Sequence, residues 1–176
     1  MRLESERLYL RPLSEDDAPV LHQMAKDEEI RYMTGTKSQF SLKQIKTHIS
    51  KIKSDSSRYD FAVCLKDTDQ MIGDLSILDI DLDNKKAGFR ISLTSVSLTG
   101  KGYGSEAIKT VLLFVFNQLH LNRLQLEVYS HNLRGIRTYE KLGFVQEGVL
   151  RQSLYIHDTY SDEIIMAILK SDFTQE

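Results

Sequence analysis

Between residues 89 and 119 the chain changes its hydrophobic period across a run of closely spaced glycines, and this feature constrains the fold more than any other. Phe89, Ile91 and Leu93 alternate with Arg90, Ser92 and Thr94, the pattern of a half-buried strand. From Ser105 onward Ile108, Val111, Leu112, Val115, Phe116 and Leu119 recur at helical spacing, and Leu113 widens that stripe into a largely buried helix. Gly100-Lys101-Gly102-Tyr103-Gly104-Ser105 joins the two. A strand that turns through glycines into a helix with a broad apolar face needs a sheet to pack against, so the second half of the chain reads as layered, mixed α/β.

The remaining pattern agrees. Leu8 and Leu10 alternate with Arg7, Tyr9 and Arg11 before Pro12, giving a strand over 6–11. Ser14, followed by three acids and then Val20, Leu21 and Met24 at helical spacing, predicts a capped helix, and a second helix is expected over 41–53. Residues 60–66 and 70–82 form a predicted hairpin turning at Asp67-Thr68-Asp69. Its apolar positions switch from odd (Leu75, Ile77) to even (Leu78, Ile80, Leu82), which predicts a bulge near 77 and 78. Leu124, Leu126 and Val128 mark a strand, Asn132 to Leu142 a helix stopped by Gly143, and Ile164 to Leu169 a last strand.

At 176 residues the chain suits one domain, and 41% apolar against 27% charged residues is enough to build a core. A net charge of −2 argues against a phosphate-backbone binder, so no nucleic acid partner is expected. The single cysteine, Cys64, can form neither an internal disulfide nor a multi-cysteine metal site, and it reads as a small buried apolar residue. Residues 1–13 carry scattered charges and no apolar stretch, and the longest apolar run, Val111 to Phe116, is far too short to span a bilayer. A cytoplasmic protein without membrane or metal partners is the expectation.

The glycine turn is the first candidate site. Glycine permits positive φ and close approach of a ligand, and the first amides of the following helix lack intrahelical acceptors and carry partial positive charge. Such a turn can hold a phosphate, or it can serve only as a tight connection. Its spacing fits neither a P-loop nor the G-x-G-x-x-G of dinucleotide-binding folds. A second segment runs from Asn132 through Arg134, Arg137, Tyr139 and Lys141 to Gly143-Phe144. Taken alone it is a capped helix with a packed tyrosine and a left-handed glycine stop. The two segments occur together, in this order, on either side of one strand.

In that combination the chain resembles the GNAT superfamily of acetyl-CoA-dependent N-acetyltransferases. Thr99-Gly100-Lys101-Gly102-Tyr103-Gly104 is similar to its pyrophosphate motif R/Q-x-x-G-x-G/A, and Asn132 to Phe144 to its N-x-x-A-x-x-x-Y-x-K-x-G-F. Glu6 to Leu13 with Asp16-Asp17, Arg31 to Thr34, and Asp162 to Leu169 resemble the branch that acetylates ribosomal-protein N-termini and includes spermidine acetyltransferases. The resemblance implies a single GNAT-like domain over 1–176, with a mixed, mostly antiparallel sheet, splayed central strands and helices on both faces.

It further implies that amides of Gly100, Lys101, Gly102, Tyr103, Gly104 and Ser105 hold the CoA pyrophosphate. Backbone groups around Thr94 to Val96 would meet the pantetheine and acetyl carbonyl, Asn132 would bind the pantetheine arm, and Tyr139 would be the general acid. A phenol there is chemically apt, because amine attack on a thioester expels a thiolate that must be protonated. Thr99 stands where the family has Arg or Gln, and Gly135 where it has alanine.

The expected function is acetyl transfer from acetyl-CoA to a primary amine, on a protein N-terminus, a polyamine or another small molecule, by direct attack in a ternary complex. The alternative is a non-catalytic acyl-CoA sensor, which would have no use for the phenol of Tyr139. The strand Gly88 to Ser92 offers no carboxylate as general base, leaving Asp74, Asp79, Glu127 and His131 as candidates, or a chain of water. Six aspartates and no Lys or Arg lie between Asp67 and Asp83; with Asp79, Asp81 and Asp83 on one strand face they would either attract a cationic acceptor or form a solvated edge. Exposed sheet edges make a homodimer conceivable.

Overall fold

The computed structural model describes residues 1–175. In chain order the strands are β1 (Leu3–Glu4), β2 (Leu8–Pro12), β3 (Tyr59–Leu65), β4 (Met71–Asp81), β5 (Lys86–Leu93), β6 (Arg123–Tyr129), β7 (Val145–Ile156) and β8 (Thr159–Leu169). The helices are α1 (Ala18–Met24), α2 (Glu28–Thr34), α3 (Leu42–Ile52), α4 (Tyr103–Leu113) and α5 (Leu133–Leu142). They form one eight-stranded open sheet, ordered β1-β2-β3-β4-β5-β6-β8-β7, in which every neighbouring pair is antiparallel except β5 and β6.

The expected layering is present. Leu8 and Leu10 point into a core shared with Ile108, Val111, Leu112, Val115 and Phe116 of α4 and its continuation, while the intervening Tyr9 joins Ala62, Cys64, Ile49 and Ile52 under α1 and α3. Strand β2 is buried on both faces because helices cover both. Cys64 is a free, fully buried thiol. Burial pushes its pKa up, consistent with its reading as a packing residue. Ser41 and Gln44 cap α3 reciprocally, and Arg11 grips Asp17 with two hydrogen bonds at 2.8 and 2.7 Å beside α1.

Two local expectations need correction. The bulge in β4 lies not at 77 and 78 but at Asp79–Ile80, where the pairing with β5 slips between Leu78 and Asp81 and Asp79 takes φ 50°. A second slip, between Val63 and Cys64 opposite Met71 and Gly73, lets both Ile72 and Leu75 face the same core. These irregularities also break the supposed acidic face: Asp79 is the exposed bulge residue, Asp81 accepts hydrogen bonds from Asn84, and Asp83 lies beyond the strand in the turn.

The helix α2 and strand β7 carry no strong sequence signal, while β8 extends the expected last strand, Ile164 to Leu169, back to Thr159. The β7–β8 hairpin turns through His157 and Asp158 at φ 49° and 57°, a turn made without glycine. Among the described residues no helix is long and apolar enough to cross a membrane.

Candidate active site

Strands β5 and β6 pair over only three positions, from Lys86 opposite Arg123 to Gly88 opposite Gln125, and then separate. A cleft of about 650 Å³ opens where they part. The glycine turn and the start of α4 form one wall, α5 the next, and α2 supplies Glu29, Ile30, Met33 and Thr34 across the opening.

At the turn, Gly100 and Gly102 adopt φ 75° and 83°, and Gly102 is the left-handed cap of α4. None of the six amides from Gly100 to Ser105 donates to an acceptor among the described residues; the first bonded amide is that of Glu106, which reaches the carbonyl of Gly102. A Cβ placed on Gly100 or Gly104 would meet nothing within 4 Å. Six free donors at a helix N-terminus, facing open space, form a site for an anion.

The turn is braced from behind. The Glu106 carboxylate accepts from the Arg7 amide, the Arg7 Nε and the Ser5 hydroxyl, each at 2.7 Å, and Arg7 Nη1 donates to the Lys101 carbonyl at 2.9 Å. The guanidinium also sits 4.5 Å from the Tyr103 ring centroid. Burial raises the Glu106 carboxyl pKa, but the Ser5 and Arg7 hydrogen bonds outweigh it and hold the group below its usual range. This clamp escaped the sequence reading, because 99 residues separate its partners and neither is unusual alone.

On α5, Asn132 caps the helix by accepting from the Gly135 amide at 3.0 Å, which leaves its Nδ2 hydrogens free at the cleft. A Cβ at position 135 would lie 2.8 Å from that Nδ2, so glycine here lets the Asn132 side chain lie close against the first turn of α5. The Tyr139 ring packs edge-on against Phe144 at 5.7 Å between centroids, and its hydroxyl has no protein partner among the described residues. Burial pushes the phenol up to about 12, so it stays protonated throughout the neutral range. Thr99 receives a hydrogen bond from Arg134 Nη1, joining the turn to α5.

The fold therefore brings Val96, Gly100, Gly102, Tyr103, Gly104, Ser105, Asn132 and Tyr139 to one cleft. Two predicted residues do not line it. Lys101 is exposed and contributes its carbonyl to the clamp, and Thr94 spends its amide on the Ile72 carbonyl at 2.8 Å, closing the β4–β5 ladder.

The candidate bases separate sharply. His131 Nε2 lies 2.7 Å from the Tyr32 carbonyl, which only accepts, so Nε2 carries the hydrogen; Nδ1 then accepts from Ser161 Oγ at 2.6 Å when the ring is neutral. Both nitrogens are engaged, and the ring is stacked on Tyr32 at 4.1 Å. Glu127 is exposed and accepts from Gln125, and Asp79 is exposed on its bulge. Asp74 alone is buried. No group of metal-ligating side chains occurs among the described residues.

A profile of the acetyltransferase (GNAT) domain matches residues 7–145. A Bacillus licheniformis protein named uncharacterized N-acetyltransferase p20 is 29% identical over 97% of this chain and 97% of its own. Spermidine N(1)-acetyltransferase of Vibrio cholerae is 26% identical, with 96% of each chain covered. The crystal structure of spermidine N-acetyltransferase from Vibrio cholerae in complex with CoA and spermine superposes with a TM-score of 0.88, covering 96% of this chain and 98% of that one at 26% identity.

Proposed function

The chain belongs to the acetyltransferase (GNAT) domain family and is an N-acetyltransferase with acetyl-CoA as its co-substrate, and from that premise we propose that the whole chain, as one domain, transfers the acetyl group directly to a primary amine held beside it. The observation that carries this reading is the row of six unpaired amides from Gly100 to Ser105, five of them on residues that line the cleft. Amides of Gly100, Gly102, Tyr103, Gly104 and Ser105, with that of Lys101 between them, hold the pyrophosphate. Asn132 Nδ2 and the Val96 amide meet the pantetheine arm. The gap between β5 and β6 receives the acetyl end.

Attack of a neutral amine on the thioester carbonyl gives a tetrahedral adduct, and its collapse expels the CoA thiolate. Tyr139, protonated and free of other partners, hydrogen-bonds the sulfur as the C–S bond lengthens and passes its proton to it, and the extra proton that the acylated nitrogen sheds restores the phenol. No covalent enzyme intermediate is required: Cys64 is buried in a strand interior, so acceleration rests on positioning amine and thioester together. Polyamines are the acceptors we favour, since the Vibrio cholerae relative that covers 96% of this chain is named for spermidine and Glu29, the one carboxylate among the lining residues, faces the cleft from α2.

A thiol-release assay with acetyl-CoA, run across spermidine, spermine, aminoglycosides and N-terminal peptides, tests the reading. Release that requires an amine, highest with the polyamines, is expected. Binding of acetyl-CoA without release for any amine would establish the sensor instead.

A further inference from the structure

Among the described residues, one buried side-chain polar atom has no hydrogen-bond partner: Oδ1 of Asp74. Its other oxygen receives a single long contact, 3.4 Å, from Arg90 Nη2. Burying a carboxylate with half its acceptor capacity unused costs stability, and a group kept at that cost calls for a use outside folding. The neighbouring acid illustrates the contrast. Asp60, on the adjoining strand β3, is fully engaged by the Arg58 fork at 2.7 Å and by the Ser76 hydroxyl at 2.6 Å.

The position of Asp74 supplies the use. In the β4–β5 ladder it stands directly opposite Ser92. Ser92 lines the cleft beyond the point where β5 leaves β6. Residues so paired carry their Cβ atoms about 5 Å apart, within reach of a hydroxyl-to-carboxylate hydrogen bond after rotation about χ1. The Ser92 hydroxyl is free to rotate, since its contact is a stretched 3.4 Å to the Leu93 carbonyl.

We propose that Asp74 is the proton acceptor of the reaction and that Ser92 is its relay: the Ser92 oxygen takes a proton from the acceptor ammonium as its own hydrogen passes to Asp74 Oδ1. The amine is left neutral with its lone pair available for the carbonyl, the carboxylate becomes a carboxylic acid, and the proton later returns to solvent. The inference rests on the acetyl-transfer reading above. Burial raises the pKa of Asp74 and Arg90 opposes that rise, which leaves a carboxylate more basic than an exposed one. The charged groups acting on it are Arg90 on β5 and Asp60 on β3; Arg58, just before β3, pairs with Asp60, and His48 on α3, whose own pKa is lowered chiefly by burial and further by Arg58, faces that pair and Arg90.

The test compares two amines in wild type, Asp74→Asn and Ser92→Ala. Spermidine is protonated at the assay pH, whereas a fluorinated ethylamine is neutral there and has no ammonium proton to surrender before it attacks. With spermidine both variants should lose about 10²-fold or more in kcat, the range of a general base. With the neutral amine they should lose little. The acid limb of the wild-type kcat–pH profile for spermidine should be missing from Asp74→Asn. A structural role would depress both amines alike, and that outcome, or an undiminished spermidine rate in either folded variant, overturns the proposal. Thermal melting establishes that each variant is folded, and Ser92→Ala, at the cleft surface, carries the test should Asp74→Asn misfold. Wild-type enzyme that releases no thiol with any amine overturns the acetyl-transfer reading itself, whereas release without the selective loss overturns only the role of Asp74 and Ser92.

Discussion

Replacing Gly104 by alanine separates binding from folding. Gly104 has no left-handed φ, occupies the first turn of α4, and a Cβ built on it meets nothing within 4 Å. In the free protein the change removes conformational freedom from the unfolded chain and improves helix propensity, worth about 0.5–1 kcal/mol. For a domain of this size that raises Tm by about 1–4 °C. The empty volume that accepts the methyl is, however, the space in front of the unpaired amides, where the diphosphate must come within hydrogen-bonding distance. Losing one charge-assisted hydrogen bond costs about 1.5–3 kcal/mol, which is roughly a 10- to 150-fold weaker Kd for acetyl-CoA. Calorimetric titration with acetyl-CoA and a melting curve on the same sample read both quantities. Stability up and affinity down is expected. Unchanged affinity would refute the placement of the diphosphate on these amides.

Tyr139→Phe should lower kcat by about 10²-fold or more while leaving the Kd for acetyl-CoA near its wild-type value, as read by single-turnover thiol release and titration. Glu106→Gln removes the charge that holds Arg7, and with it the brace behind the turn; KM for acetyl-CoA should rise much more than kcat falls. The two buried aspartates should respond to pH in opposite senses. Burial raises the pKa of Asp17, but the Arg11 hydrogen bonds and the Ser14 amide more than reverse it, so its folded value lies below 3.8. Its contribution is present above that pH and lost on acidification through the lower folded value, so Asp17→Asn should cost about 1–3 kcal/mol at pH 7, with the difference from wild type closing below about pH 4. Asp74 is raised, so its ionised form is a burden above its folded pKa; Asp74→Asn should melt no lower than wild type at pH 7, and any advantage should vanish as acid neutralises the native carboxyl. Melting curves recorded from pH 3 to 8 check both signs.

Much of this site was legible because its determinants are local. The glycine turn, the stripe of α4 and the Asn132–Tyr139 helix each obey a rule that relates near neighbours in sequence, and the fold placed all three around one cleft. What stayed hidden depends on pairing between distant strands or on a turn without its usual residues. The hairpin β7–β8 reverses at His157-Asp158 with both residues left-handed, and no glycine announces it. The β4 bulge was inferred from a change of hydrophobic phase, but phase alone places an extra residue only to within a turn of the pleat; the φ of Asp79 fixes it two positions later. That displacement has a functional consequence. With regular pairing from Gly73 to Leu78, Asp74 and Ser76 share the face carrying Arg90 and Ser92, and the register sets Asp74 against Ser92 at the splay. In the sequence Asp74 was one of four candidate bases, with nothing to set it apart from Asp79, Glu127 and His131. Only the ladder, which buries it and leaves one of its oxygens without a donor, separates it from the rest.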